Sequence, residues 1–327
     1  MSLDAAGLIA LADLTTVARR TALTGTSCLL DAFVLCPGLH RQQLAPELNG
    51  GEYPACGAMT TGYVFRVENP ATVHFLQKVS RTAHLTTLVV SHEKDHRRLN
   101  RRLFELFFSS QAASLCSSIA YLATALMTLV TLVLLALSRN SWALGVFSIL
   151  VLARLLNIVI IRRRAQPGWF GAKEPGIQGD LIILLSQDRW VRMRGPVDDL
   201  KAVTSGQWLR EPTFIESSVT ALATVLVYLD AALASNVDQT GKLIFLILLI
   251  ASAGMLAIAN ETTDALQMHG RVIKVAEQSD RFDRRLQMVN WLIGEVGGRK
   301  DWAIRMGMIV PDVDEKTEEK AEMIVAM

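Results

Sequence analysis

The segment His92-Glu93-Lys94-Asp95-His96 has the residue types and spacing best suited to chemistry in this chain. On a helix this HExxH pattern places two imidazoles one turn apart on the same face, where both can bind one zinc ion. Glu93 can then act as the general base that activates a metal-bound water. One hypothesis is therefore a zinc-dependent hydrolase, or metallopeptidase, with His92 and His96 as metal ligands.

Such a site needs a third zinc ligand, and Glu261 is the candidate. The segment Asn260-Glu261-Thr262-Thr263-Asp264 resembles the glutamate-supplying helix of gluzincins and membrane metallopeptidases. It departs from that family because Glu261 and Asp264 are three residues apart, where the family places them four apart. The variable positions of HExxH are also charged here. The alternative is that His92 and His96 occupy polar positions of a helical bundle and bind no cofactor.

The composition of the chain indicates a lipid-facing surface. Of its 327 residues 51% are hydrophobic, and the mean hydropathy is +0.31, whereas the polar surface of a soluble protein usually keeps this average below zero. A helix needs about 20 mostly apolar residues to cross a bilayer core of about 30 Å. Four segments meet this requirement, and they predict four transmembrane helices over residues 112–138, 142–161, 214–235 and 243–259.

Polar residues inside these spans form the second set of candidates, because charge in a membrane segment is costly and often functional. Arg154 and Asn157 lie one turn apart in the second span, and Glu216 and Asp230 lie near the two ends of the third. Glu216 is the acidic residue closer in depth to Arg154. These residues predict either a buried structural pair or a small carrier or channel centred on Arg154.

The distribution of lysine and arginine predicts the orientation. Five precede the first predicted span closely, nine lie between the second and third spans, and two follow the fourth. The opposite side has only Arg139 and Lys242. Both termini and the central loop are therefore expected in the cytosol. The net charge of +2 argues against a nucleic-acid partner.

Outside the spans, two apolar patterns with steps of three and four predict helices that pack as coiled coils. One covers residues 85–106, and the longer one covers 265–296 and ends at Gly297-Gly298. The longer pattern predicts pairing with the 85–106 helix or with the same helix of a second copy, or association with another protein. Short hairpins are expected over 63–77 and over 181–193, the latter followed by a helix that ends near Trp208.

These expectations define an all-α integral membrane protein with four transmembrane helices, a cytosolic helical or coiled-coil bundle and minor β-hairpins. The predicted regions are a cytosolic N-terminal region, the first two spans, a cytosolic loop, the last two spans, a cytosolic coiled-coil helix and a tail, over residues 1–111, 112–161, 162–213, 214–260, 261–298 and 299–327.

The stretch from Gly171 to Leu209 resembles a recurrent segment of uncharacterised multi-pass membrane proteins of filamentous fungi. This resemblance implies an organellar or plasma-membrane protein that is accessory to a metabolic pathway, and it implies no chemistry. The chain contains no Walker loop, GxGxxG or GxSxG motif. The first functional hypothesis is therefore a non-enzymatic scaffold or accessory protein without a cofactor, and the zinc hydrolase and the carrier are the alternatives.

Overall fold

A computed structural model describes residues 6–92 and 114–311 of the chain. The helices are α1 (Thr16–Thr24), α2 (Pro70–Val79), α3 (Leu115–Leu137), α4 (Ser141–Arg164), α5 (Val197–Thr204), α6 (Phe214–Leu233), α7 (Gln239–Glu261), α8 (Arg285–Glu295) and α9 (Asp301–Arg305). The strands are β1 (Ala55–Ala58), β2 (Val64–Arg66), β3 (His84–His92), β4 (Gln178–Leu185), β5 (Arg189–Pro196), β6 (Ala265–Met268) and β7 (Arg271–Arg281). Short 3₁₀ helices cover Ala6–Leu11, Leu29–Phe33, Leu39–Asn49 and Ala234–Asn236.

The four long helices α3, α4, α6 and α7 confirm the four predicted candidate spans. Each is long and apolar enough to cross a membrane. Helix α3 packs against α7 and helix α4 against α6. The outward faces carry large exposed apolar side chains, among them Leu126, Val130 and Ile250. An apolar outer face of this extent is what a bilayer would cover.

A seven-stranded mixed sheet lies at one end of these helices, in the strand order β2-β1-β4-β5-β3-β7-β6. Strands β3 and β5 are parallel, and the other neighbouring pairs are antiparallel. The expectation of an all-α protein with minor hairpins is therefore wrong for the non-membrane part. The sheet combines strands from before α3, from between α4 and α6, and from after α7.

Both faces of the sheet are covered, which explains the continuous apolar run over residues 181–185 of β4. On one face Ile183, Val191 and Leu88 pack with α1, α2 and α5. The other face packs against α8 and α9, around Trp190 and Trp302. Ile161, in the last turn of α4, belongs to the first of these cores, so the sheet and the membrane helices are packed directly together.

The N-terminal segment packs inside the helical bundle. Gly7 lies against Ala231 and Ala234, at the end of α6 that is farthest from the sheet. The 3₁₀ helix Leu29–Phe33 packs against α3 and α4, and that of Ala6–Leu11 packs against α6 and α7. Residues 27–36 are mostly buried here. The segment thus connects the two helix pairs.

The predicted coiled-coil helix over 265–296 is wrong for residues 265–281, which form β6 and β7. The apolar residues Leu266, Met268 and Ile273, of which only Met268 belongs to the predicted heptad, all point to one covered face of the sheet. The two-residue turn His269-Gly270, with φ of 50° and 73°, joins these strands. Two positive φ values with glycine second are typical of a type I′ hairpin turn, a signal that the heptad interpretation overlooked.

Two shorter predictions are also corrected, and one is confirmed. Residues 84–92 are a strand rather than the start of a helix, while 93–106 lie outside the described residues. The expected second strand over 72–77 is part of α2, because Asn69 accepts a hydrogen bond from the Thr72 amide and Pro70 occupies the first helical position. The hairpin of β4 and β5, followed by α5, agrees with the sequence prediction.

Candidate functional site

Of the three residues proposed for the HExxH zinc site, the structure describes His92. Glu93 and His96 lie outside the described residues. His92 ends β3 and is paired with Arg271 of β7, so this histidine does not lie on a helix. Its Nδ1 atom is 3.7 Å from Oδ1 of Asp199, at the start of α5. The described part of the motif therefore lacks the helical geometry from which a shared zinc ion was inferred.

Glu261, the proposed third ligand, lies in the last turn of α7 rather than next to His92. Glu261 lines the same cleft as Thr86 of β3. His92 is six residues further along that strand, about 20 Å at 3.3 Å per residue. The structure thus keeps His92 and Glu261 apart, and the zinc site stays a sequence prediction.

Arg154 and Asn157 are both buried and both contact the N-terminal segment. Arg154 Nε donates to the Asp31 carbonyl oxygen at 3.0 Å. The Gln43 side-chain amide donates to Asn157 Oδ1 at 3.1 Å. These contacts favour the structural interpretation of Arg154, because its guanidinium adds a charged donor to the Asp31 carbonyl, which also accepts from the Val34 amide at 3.0 Å.

The two acidic residues of the third span have different environments, and neither pairs with Arg154. Glu216 is held by Arg210 through two hydrogen bonds of 2.6 and 2.8 Å, and its carboxylate also accepts from the Thr213 amide at the start of α6. The expectation that Glu216 would be the partner of Arg154 is therefore wrong. Asp230 is fully buried, and neither carboxyl oxygen has a hydrogen-bond partner among the described residues.

A polar cluster around Asp31 was not anticipated from the sequence. Tyr121 Oη donates to Asp31 Oδ1 at 2.7 Å, and the Cys28 amide donates to Asp31 Oδ2 at 2.8 Å. The Arg20 guanidinium lies 5.0 Å from the centre of the Tyr121 ring and donates to Ser117 Oγ at 3.2 Å. The sequence signal was Asp31 itself, a charge in an apolar segment. Without the long-range contacts its partners could not be named.

A cleft lies beside the last turn of α7, where the long helices meet the sheet. We call it the interfacial cleft. The cleft has a volume of about 680 Å³. Leu23, Leu48, Ala257 and Ile258 supply its apolar lining. Its charged or titratable lining residues are Arg19 of α1, His74 and Lys78 of α2, and Glu261 of α7.

Lys78 binds the end of α7 rather than the open cleft. Its ammonium donates to the carbonyl oxygens of Asn260, Glu261 and Thr263, at 2.6, 2.9 and 2.8 Å. A cation here donates to carbonyls at the end of the helix, of which that of Asn260 also accepts from the Thr263 amide at 3.3 Å, and offsets the negative end of the helix dipole. Burial lowers the pKa of Lys78, although Glu261 acts in the opposite direction.

His74 is neutral at pH 7. Burial, and then the positive charges of Arg19 and Lys78, lower its pKa to about 4. Arg19 and Glu261, by contrast, make no side-chain hydrogen bond or ion pair within residues 6–92 and 114–311. The cleft therefore offers the Arg19 guanidinium and the Glu261 carboxylate on a partly apolar lining, next to a second positive charge at Lys78.

Comparison of the chain with protein-family models, with curated proteins and with solved structures finds no match.

Proposed function

We propose that this protein is a membrane-anchored docking protein that pairs through the edge of β7 with a second copy of itself. Strand β6 pairs with β7 only from Arg271 to Lys274. Beyond that point, no described strand pairs with the outer edge of β7 from Val275 to Arg281. An unpaired edge is a row of backbone donors and acceptors that can template another strand. This open edge is the observation that carries the proposal.

The strand order together with the charge distribution supports a cytosolic position of the sheet. Strands that precede α3, lie between α4 and α6, and follow α7 belong to one sheet. If all four helices cross the bilayer, these three regions must lie on the same side. The excess of lysine and arginine in these regions favours the cytosolic side.

Symmetry favours a second copy as the occupant of this edge. Antiparallel pairing of residues 275–281 about a twofold axis at Gln278 places Val275 opposite Arg281 and Ala276 opposite Asp280. No two residues of like charge fall opposite each other in this register, so the pairing avoids the repulsion that destabilises cross-strand neighbours. Two seven-stranded sheets would then form one continuous sheet on the membrane surface.

Cysteine crosslinking tests this register. In a Cys116→Ser background, which removes the exposed cysteine, Gln278→Cys places two thiols opposite each other across the twofold axis. We expect a disulfide-linked dimer in native membranes under mild oxidation. Ala276→Cys is the matched control, because its two copies would be four residues out of register, about 13 Å apart. Equal crosslinking of both variants, or of neither, contradicts the proposal.

A charge pair at Val275 tests the same contact by affinity. Val275→Lys would face Arg281 twice in the dimer, whereas Val275→Glu would form two opposite-charge pairs. At about 0.5 kcal/mol for each pair, the dimer Kd should differ about fivefold from wild type, upward for lysine and downward for glutamate. Single-molecule photobleaching at low protein density in bilayers measures this. A change of the same sign in both variants would refute edge pairing.

A further inference from the structure

We propose that the interfacial cleft binds the headgroup of a zwitterionic phospholipid that carries a primary ammonium group. This inference rests on the cleft and its charges, and it does not depend on the pairing of β7. The volume of the cleft lies within the range of pockets that hold small ligands.

The cleft is open toward the lipid-facing side of α7. Ala257 and Ile258 line it and are exposed, and the exposed residues Ile247, Ile250 and Gly254 continue the same stripe toward the membrane centre. A Cβ atom at Gly254 would meet nothing within 4 Å, so a shallow track is open there. An acyl chain could lie along this stripe while its headgroup occupies the cleft. This continuity favours a lipid over a free water-soluble zwitterion.

The charges of the cleft match a zwitterion. Arg19 and Glu261 have opposite charge and line the same space. Neither side chain makes a hydrogen bond or an ion pair in the part of the chain that the structure describes, although Lys78 lies near Glu261. A lipid phosphate would accept charge-assisted hydrogen bonds from the Arg19 guanidinium, and the lipid ammonium would donate to the Glu261 carboxylate. Lys78 already supplies a positive charge near Glu261, but a purely anionic headgroup would offer the Glu261 carboxylate no N–H donor.

Zwitterionic lipids differ in the number of N–H donors on their ammonium group, and this number should decide which lipid the cleft prefers. A primary ammonium group has three donors for the Glu261 carboxylate, whereas the trimethylated ammonium of choline has none. Charge-assisted hydrogen bonds are stronger than unassisted ones. The cleft should therefore prefer phosphatidylethanolamine over phosphatidylcholine with the same acyl chains.

Competitive lipid retention tests the proposal on the full-length protein. Protein is reconstituted in nanodiscs that contain equal amounts of phosphatidylethanolamine, phosphatidylcholine and phosphatidylglycerol, and native mass spectrometry after release identifies the retained lipids. We expect about tenfold preferential retention of phosphatidylethanolamine. Arg19→Gln and Glu261→Gln should each reduce this preference to near twofold. The matched surface controls Arg66→Gln and Glu68→Gln should leave it unchanged.

A charge exchange keeps the test informative if a single variant folds poorly. Arg19→Glu combined with Glu261→Arg restores one charge of each sign and should recover at least half of the lost preference. The His74 ring supplies a second measurement by NMR. A bound phosphate adds negative charge near the ring, so phosphatidylethanolamine should raise the pKa of His74 relative to phosphatidylcholine.

Three results would overturn the proposal. One is equal retention of phosphatidylcholine, and another is wild-type preference in both single variants. The third is equally tight binding of glycerophosphoethanolamine, which has the headgroup but no acyl chains and would identify a soluble ligand instead. Failure of β7 crosslinking with intact lipid preference would refute only the proposed dimer.

Discussion

Tyr121→Phe should destabilise the fold markedly although the change removes a single oxygen atom. In the structure Tyr121 Oη donates to Asp31 Oδ1 at 2.7 Å within the buried core of the helical bundle. A hydrogen bond to a charged group contributes about 1.5–3 kcal/mol, and its loss leaves the Asp31 carboxylate with fewer donors in a site that water does not reach. Phenylalanine retains the ring, so little packing is lost. We expect the free energy of unfolding to fall by about 2 kcal/mol.

Chemical unfolding in mixed micelles, followed by circular dichroism, measures this difference. The matched control is Tyr228→Phe, whose side chain is on a membrane helix but is 52% exposed. That variant should lie within about 0.5 kcal/mol of wild type. In an Asp31→Asn background, Tyr121→Phe should lower the free energy of unfolding by at least about 1 kcal/mol less than it does in wild type, because the two residues share the contact. Similar stabilities for Tyr121→Phe and Tyr228→Phe would refute the reasoning.

Four further outcomes follow from the same structure. Lys78→Met should lower the free energy of unfolding by about 2 kcal/mol, measured in mixed micelles, because three carbonyls at the end of α7 lose a charged donor; Lys78→Arg should lower it by less than half as much. His74 has a pKa of about 4, below its ordinary value of 6.5, so the folded protein binds fewer protons than the unfolded chain between these pH values. The free energy of unfolding should therefore fall by about 3 kcal/mol from pH 7 to below pH 4, and His74→Gln should remove this part of the slope. Arg154→Met should cost about 2 kcal/mol in unfolding experiments because the Asp31 carbonyl loses its charged donor and keeps only the Val34 amide, and wild-type stability would contradict a structural role. In sealed inside-out vesicles, Arg66→Cys should react with an impermeant maleimide and Arg139→Cys should not, and the reverse would place the sheet on the opposite side.

The membrane helices could be predicted closely from the sequence because a single requirement determines them. A segment that crosses a bilayer must be apolar over about 20 residues, and this composition is visible without any tertiary contact. The helix ends also have local signals. Asn140 and Asp238, for example, accept hydrogen bonds from the amides of Ala143 and Gly241 at the starts of α4 and α7.

The sheet could not be predicted in the same way because its strands come from distant parts of the chain. The apolar positions of residues 265–281 fit both a heptad and a strand alternation, and only the pairing of β7 with β3 selects the strand. The local signals that were available were the His269-Gly270 turn and the Asn69-Pro70 helix start. The hairpin of β4 and β5 was recognised because its turn and both its strands are contiguous in sequence.

The polar residues of the second span illustrate why charge alone does not assign a function inside a membrane. Arg154, Asn157 and Arg162 each contact the N-terminal segment: Arg154 and Arg162 donate to the carbonyls of Asp31 and Ser27, and Asn157 accepts from Gln43. Irregular backbone at membrane depth must find donors and acceptors within the protein, because lipid offers none. A chain that places 3₁₀ helices between its membrane helices therefore needs polar side chains on those helices. These three residues therefore supply the hydrogen bonds that the N-terminal segment needs. The sequences of the four spans alone could not show this, because the partners lie outside the spans.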